Sequence, residues 1–153
     1  MPFYWVTAAS TAAPTAQFDA IEITAVASGL CRIWRSRLWQ TSDLQDAAEE
    51  VLRYEWVRGN ATGGSGGQTT VITPLNSFDA AATFAAELLN TTVASAGSPV
   101  TLSVGGWNIR IPLDELFPPE QVIVLRNSER ACLRVAAPAD AITCNAACLI
   151  EQI

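Results

Sequence analysis

A chain of 153 residues, half of them apolar and 16% charged, is long enough for one domain with a full core. That excludes a wholly disordered polymer, and it removes any need for metal or disulfide to fold. The net charge is −6, all nine basic residues are arginine, and neither lysine nor histidine occurs. These absences exclude histidine-based nucleophilic catalysis and a lysine-bearing phosphate loop. They also make a poor nucleic-acid binder, since phosphate neutralisation needs clustered cations.

The N-terminus reads MPFYWVTAASTAAP and lacks the positive start of a secretion signal, so synthesis in the cytoplasm is expected. No run approaches the ~18 apolar residues of a membrane-spanning helix, and no membrane partner is expected. Phe3-Tyr4-Trp5-Val6 is an aromatic cluster on an Ala/Thr/Ser/Pro tether that runs to Gln17. It suits either an arm over residues 1–17 that packs on its own body or on a neighbour, or a first edge strand of a sheet.

From Phe18 onward a β domain, 18–153, is expected. Ile21, Ile23 and Ala25 alternate with Glu22 and Thr24, and Ser28-Gly29 ends the run. In Cys31–Thr41, Ile33 and Trp39 fall at odd positions while Trp34 and Leu38 fall at even ones. The phase therefore slips near Ser36, which predicts a β-bulge or a strand changing sheets. On a regular strand Trp34 and Trp39 cannot share a face, so one of them is a candidate for a sugar- or subunit-binding surface. Thr41-Ser42-Asp43 predicts a turn, with a single helical turn over Leu44–Ala48.

Glu49 to Leu75 is the organising stretch. Leu52, Tyr54 and Trp56 alternate with Arg53 and Glu55, the pattern of a strand buried on one side. Gly59-Asn60 and then Gly63-Gly64-Ser65-Gly66-Gly67 predict a long exposed tip, mobile or ordered by a partner. Thr69–Thr73 is the next strand. Its β propensity and the missing lysine argue against phosphate binding by the glycines.

Phe78–Asn90 is ambiguous: a short helix over Asp79–Ala82 and a strand from about Thr83 to Thr92 are expected. Val100–Val104 leads into Gly105-Gly106, read as a hairpin turn, with Trp107, Ile109 and Ile111 directed inward after it. Strands over Val122–Leu125, Ala131–Val135 and Ile142–Ile150 follow. Eight to ten short strands spaced by turn residues make an all-β β-sandwich, a jelly roll by first choice.

Little in the chain carries chemistry. Cys31, Cys132, Cys144 and Cys148 read as small buried hydrophobes, and no metal or cofactor is expected. Asp114-Glu115 and Glu49-Glu50 are paired carboxylates of the kind a glycosidase holds across a cleft, but adjacent acids are ordinarily solvated. No catalytic residue is assigned.

Several stretches together resemble a family of small tailed-phage virion proteins, also found in prophages. They are Gln40-Thr41-Ser42-Asp43, Asp46-Ala47-Ala48-Glu49-Glu50-Val51-Leu52-Arg53, Arg58-Gly59 with the glycine loop, Asn90-Thr91-Thr92, and Ala136-Ala137-Pro138-Ala139-Asp140-Ala141-Ile142-Thr143. The resemblance implies a sandwich that cements or decorates a capsid shell, with the major capsid protein as partner and no catalysis. Symmetric binding sites favour a dimer or trimer of the chain itself. The residues expected at contacts are Phe3, Tyr4 and Trp5 of the arm and Gly63, Gly64, Gly66 and Gly67 of the tip. A carbohydrate-binding or fibre-associated module is the rival reading, motivated by the tryptophans.

Overall fold

The computed structural model describes residues 1–8, 13–41, 50–139 and 141–153. Within them the alternating stretches become strands β1 (Phe3–Ala8), β2 (Phe18–Thr24), β3 (Leu30–Gln40), β4 (Val51–Thr62), β5 (Thr70–Pro74) and β6 (Ala85–Asn90). The second half gives β7 (Ser95–Asn108), β8 (Leu113–Leu116), β9 (Ile123–Arg126), β10 (Arg130–Val135) and β11 (Cys144–Gln152). Among the described residues there is no helix.

All pairing is antiparallel. Sheet A runs β5-β1-β11-β3-β8, with β9 also on β3, and sheet B runs β6-β2-β10-β4-β7. Without β5 and β6, the orders β1-β11-β3-β8 and β2-β10-β4-β7 are those of a jelly roll. Along those eight strands each step changes sheet except β4 to β7. The inserted β5 and β6 extend the same side of the sandwich, one strand on each sheet.

The core lies between the sheets, where inward residues of each strand meet. Tyr4 and Val6, Ile21 and Ile23, Ile33 and Leu38, and Leu52, Tyr54 and Trp56 are all buried there. Each such aliphatic or aromatic side chain stabilises the fold by about 1.5–3 kcal/mol. Trp56 meets Phe117 edge-on at 6.1 Å, and Tyr4 meets Phe84 likewise at 5.6 Å.

Four expectations need correction. The arm is a strand: β1 lies between β11 and β5, inside sheet A rather than at its edge, because Tyr4 and Val6 alternate into the core. The helix over Asp79–Ala82 is absent. Tyr4 Oη donates to Ala80 O at 2.8 Å and Thr83 N donates to Gln152 Oε1 at 2.8 Å, so tertiary bonds engage the backbone groups a helix would use, against the segment's alanine propensity. Gly105-Gly106 is no turn but lies within β7, opposite Tyr54 and Arg53. Ile111 is exposed past the strand end, while Trp107 and Ile109 are buried as expected. The turn and helical turn placed at Ser42–Ala48 lie outside the described residues.

Candidate interaction faces

The outward side of sheet A is built mainly by β3. Cys31, Ile33, Ser36 and Leu38 point into the core, which leaves Arg32, Trp34, Arg35, Arg37 and Trp39 outside. Trp34 is an extra residue in the ladder: Ile150 stands opposite Ile33 and Leu149 opposite Arg35. This bulge is the slip read from the sequence, two residues before Ser36. It resets the alternation and so puts both tryptophans on one face, where a regular strand would separate them.

Neighbouring strands complete the face. From β1 come Phe3 and Trp5, and Trp5 stands opposite Leu149, which in turn stands opposite Arg35. The Phe3 and Trp34 rings lie 6.3 Å apart, and the Arg37 guanidinium sits 5.7 Å from the Trp39 ring. Trp34 Nε1 donates to Glu151 Oε2 at 2.9 Å, and Arg32 Nη1 donates to the same oxygen at 3.2 Å. Arg35 binds Asp114 through both ends, at 2.7 and 2.5 Å, with Arg37 Nε 3.5 Å away. The Arg35 hydrogen bonds hold the Asp114 carboxyl below its usual range, against a smaller opposing effect of burial. On a chain of net charge −6, this face is one where Arg32, Arg35, Arg37 and Arg126 outnumber Asp114 and Glu151.

The glycine segment lies against the other sheet and is not a free tip. Ser65 and Thr92 exchange two backbone hydrogen bonds of 3.0 Å, and Gln68 N donates to Leu88 O at 2.9 Å, so the segment covers the edge of β6. Gly64 N donates to Glu22 Oε2 at 2.9 Å. A Cβ on Gly64 would stand 2.5 Å from Thr92 O and 2.7 Å from Asn90 Nδ2, which is why glycine is needed there.

Beneath this segment is a buried polar network. Glu22 stands opposite Glu87 across the β2–β6 ladder, and Asn90 Nδ2 donates to both carboxylates at 3.0 Å. Arg130 Nε lies 2.7 Å from Glu22, and Arg134 binds Asp19 at 2.8 and 3.2 Å. Oxygens of Asp19 and Glu22 and the sulfur of Cys132 lie within 4.8 Å of one another, a spacing a metal ion accepts. Both carboxylates, however, are already matched by guanidinium groups, and burial pushes the Cys132 thiol up, away from the thiolate a metal requires. The arrangement is that of ion pairs holding β2, β10 and the glycine segment together.

Asp114 and Glu115 cannot act as a catalytic pair, because successive strand residues face opposite ways. Asp114 is outside with Arg35. Glu115 points between the sheets, accepting Tyr54 Oη at 2.6 Å, Ser36 Oγ at 3.2 Å and Trp56 Nε1 at 3.4 Å. Glu50 Oε2 accepts Ala139 N at 2.8 Å, whereas Glu49 lies outside the described residues. All four cysteines are free and buried; burial raises Cys31 to about 11 and Cys144 to about 12, so neither is a nucleophile near neutral pH. Clefts of about 290 Å³ under Gly64–Gln68 and 260 Å³ beside Phe117 are smaller than a typical ligand pocket.

The expected contact residues therefore separate. Phe3 and Trp5 share the sheet A face with Trp34 and Trp39, Tyr4 is buried in the core, and Gly63, Gly64, Gly66 and Gly67 line the edge of sheet B. Arg35 and Arg37 belong to the face but were not assigned to it, because only the bulge shows which way they point.

No protein-family model and no curated protein matches the chain. Among solved structures it is similar to a mutant VP2 protein of infectious bursal disease virus from derived T=1 particles, at 14% identity and a TM-score of 0.22. It is likewise similar to a chain of the IBDV viral particle, at 12% identity and a TM-score of 0.22. These alignments cover 99% of this chain but only 40% and 39% of the viral chains. Likenesses of this size assign neither fold nor function, and the jelly-roll order rests on the strand pairing alone.

Proposed function

We propose that the chain is a non-enzymatic structural protein of a tailed-phage virion, a cement protein that seats the outer face of sheet A on the major capsid protein. The observation that carries this is the concentration of Phe3, Trp5, Trp34 and Trp39 with Arg35 and Arg37 on one sheet face. Tryptophan and arginine dominate the energetics of protein interfaces, and a sheet presents them as a platform suited to another surface rather than to a small substrate. The family-like stretches and the jelly-roll order support the same reading. Its place is then the capsid surface, after synthesis in the host cytoplasm, and repeated weak contacts hold the shell by avidity. Co-sedimentation with capsids lacking the protein tests it. Trp39→Ala and Arg37→Ala should each weaken binding by about tenfold or more while leaving the fold intact. Unchanged binding by both would remove the face from the account.

A second reading, a carbohydrate-binding or fibre-associated module, is favoured by one observation: Trp34 and Trp39 both look outward. A glycan screen separates the two. Cement predicts no signal, whereas a glycan signal abolished by Trp39→Ala transfers the face to sugar binding.

A further inference from the structure

Glu87 and Asn90 stand three apart on β6, a spacing that puts side chains on opposite sides of a regular strand. Here they lie on the same side, because Leu89 between them is left-handed at φ 61 and breaks the alternation. Such a φ strains any residue with a Cβ, and this one belongs to a buried leucine inside the sheet. It brings Asn90 beside Glu87, so that Asn90 Nδ2 donates to Glu22 Oε2 and to Glu87 Oε2, at 3.0 Å each.

Those two bonds fix which way the amide faces. Turned over, it would set its oxygen against two carboxylates, so Oδ1 points away from them and toward the glycine segment. A Cβ on Gly67 would stand 2.3 Å from it. Asn90 is fully buried, and its Oδ1 accepts no hydrogen bond. A buried acceptor in that state is costly and calls for a proton donor or a cation. The charges nearby are unbalanced in the same sense. Glu22 has Arg130 Nε at 2.7 Å, and Arg130 Nη1 donates to the Asn60 and Ala61 carbonyls. Glu87, directly opposite Glu22 in the ladder, has only the neutral Asn90 amide as partner among the described residues.

The cleft bordered by residues 64–68, Glu87 and Asn90 measures about 290 Å³, room for an ion with several waters of about 30 Å³ each. Gly64, Gly66 and Gly67 offer it only backbone groups. We propose that this cleft holds a calcium ion, bound by the Glu87 carboxylate and Asn90 Oδ1, with carbonyls of the glycine segment and water completing its shell. Calcium takes about six to eight oxygen ligands in flexible geometry, which a glycine segment can follow; the strict octahedron of magnesium suits it less. With Ca–O distances of about 2.4 Å, two ligand oxygens stand up to about 5 Å apart, within reach of side chains joined to each other at 3.0 Å. The site is separate from the Asp19–Glu22–Cys132 group, whose carboxylates already have guanidinium partners. The ion neutralises Glu87 and pins the glycine segment to β6. It belongs to sheet B, so it stands or falls independently of what the sheet A face binds.

Calorimetric titration of the chelator-treated full chain with CaCl₂ tests this. One saturable site with a Kd of about 10⁻⁴–10⁻³ M is expected, with MgCl₂ bound more weakly. Glu87 is exposed, so Glu87→Gln should keep the calcium-free melting temperature and weaken calcium binding by about tenfold or more. Glu120→Gln removes an exposed acid from the β8–β9 connection and should leave binding unchanged, which separates a site from general attraction to a chain of net charge −6. Calcium should also slow hydrogen exchange at the Ser65, Gln68 and Thr92 amides in the wild type and not in Glu87→Gln. A water on Asn90 Oδ1 alone gives none of these signals. The proposal is overturned by no saturable heat up to about 10 mM CaCl₂, by magnesium binding as tight as calcium, by equal binding in the two variants, or by exchange that calcium does not slow.

Discussion

Tyr54 in sheet B donates its phenol hydrogen to Glu115 in sheet A at 2.6 Å, tying the two layers together across the open side of the sandwich. Burial first, and then the hydrogen bond and charge of Glu115, raise the Tyr54 pKa, so the phenol stays protonated and donating throughout ordinary conditions. Opposite Tyr54 in the ladder is Gly105, where a Cβ would collide with the Tyr54 ring. Tyr54→Phe should lower stability by about 1.5–3 kcal/mol, since it removes one hydrogen bond to a charged group. Urea unfolding should show this as a lower midpoint with an unchanged slope. A midpoint equal to wild type would mean that the bond contributes nothing.

The glycine segment supports a second prediction. Thr92 O leaves no room beside Gly64, while Gly63 would meet the ends of the Glu22 and Arg130 side chains at 3.0 and 3.2 Å. Gly64→Ala should therefore lift the segment off β6 and cost about 1–3 kcal/mol. Gly63→Ala should cost less, because side-chain ends can shift and backbone cannot. Hydrogen exchange at the Ser65, Gln68 and Thr92 amides should accelerate in the first variant. Equal protection in both variants would show that the close approach does not matter.

Stability against pH follows from the groups that shift. Without histidine, no side chain with an ordinary pKa titrates between about pH 5 and 8, so the melting temperature should be flat there. Cys31 and Cys144 rise from 9.0 to about 11 and 12 through burial. A raised folded pKa contributes stability that is complete below the unfolded value and is lost as pH climbs toward the folded one. The decline should thus begin near pH 9, at up to about 1.4 kcal/mol per pH unit for each group, with Tyr4 and Tyr54 adding to it above 10. Asp114 shifts the other way, and its contribution disappears as pH falls below 3.8. The Arg35–Asp114 side chains are 37% and 35% exposed, so solvent screens the pair and that loss is small. Calorimetry from pH 3 to 11 measures all of this, and a melting temperature that still climbs past pH 10 contradicts it.

Much of the fold was legible because one-sided burial writes itself as alternation. Leu52, Tyr54 and Trp56 point inward as read, the cysteines are buried, and the phase slip near Ser36 is the bulge at Trp34. What stayed hidden depended on contacts between distant segments. Tyr4 and Val6 alternate as clearly as Leu52 and Tyr54, but only their pairing with Cys148–Ile150 and Ile72–Pro74 makes β1 an inner strand. Gly105 looked like a turn because glycine is permissive, whereas its use is to make room for a ring across the ladder. The glycine segment looked free because Glu22 and Thr92, which hold it, are remote in sequence. Phe78 precedes the helix expected over Asp79–Ala82, but Asn76-Ser77-Phe78-Asp79 is also an Asx-turn pattern, which places it at an exposed tip.

The claim that this chain is mortar for a shell is tested most directly by weighing it against the major capsid protein in purified heads with quantitative mass spectrometry. The account predicts one constant ratio of the two proteins across preparations, reached again when the purified chain is added back to heads that lack it. Heads without the chain, while it is abundant and free in the same lysate, would contradict the account.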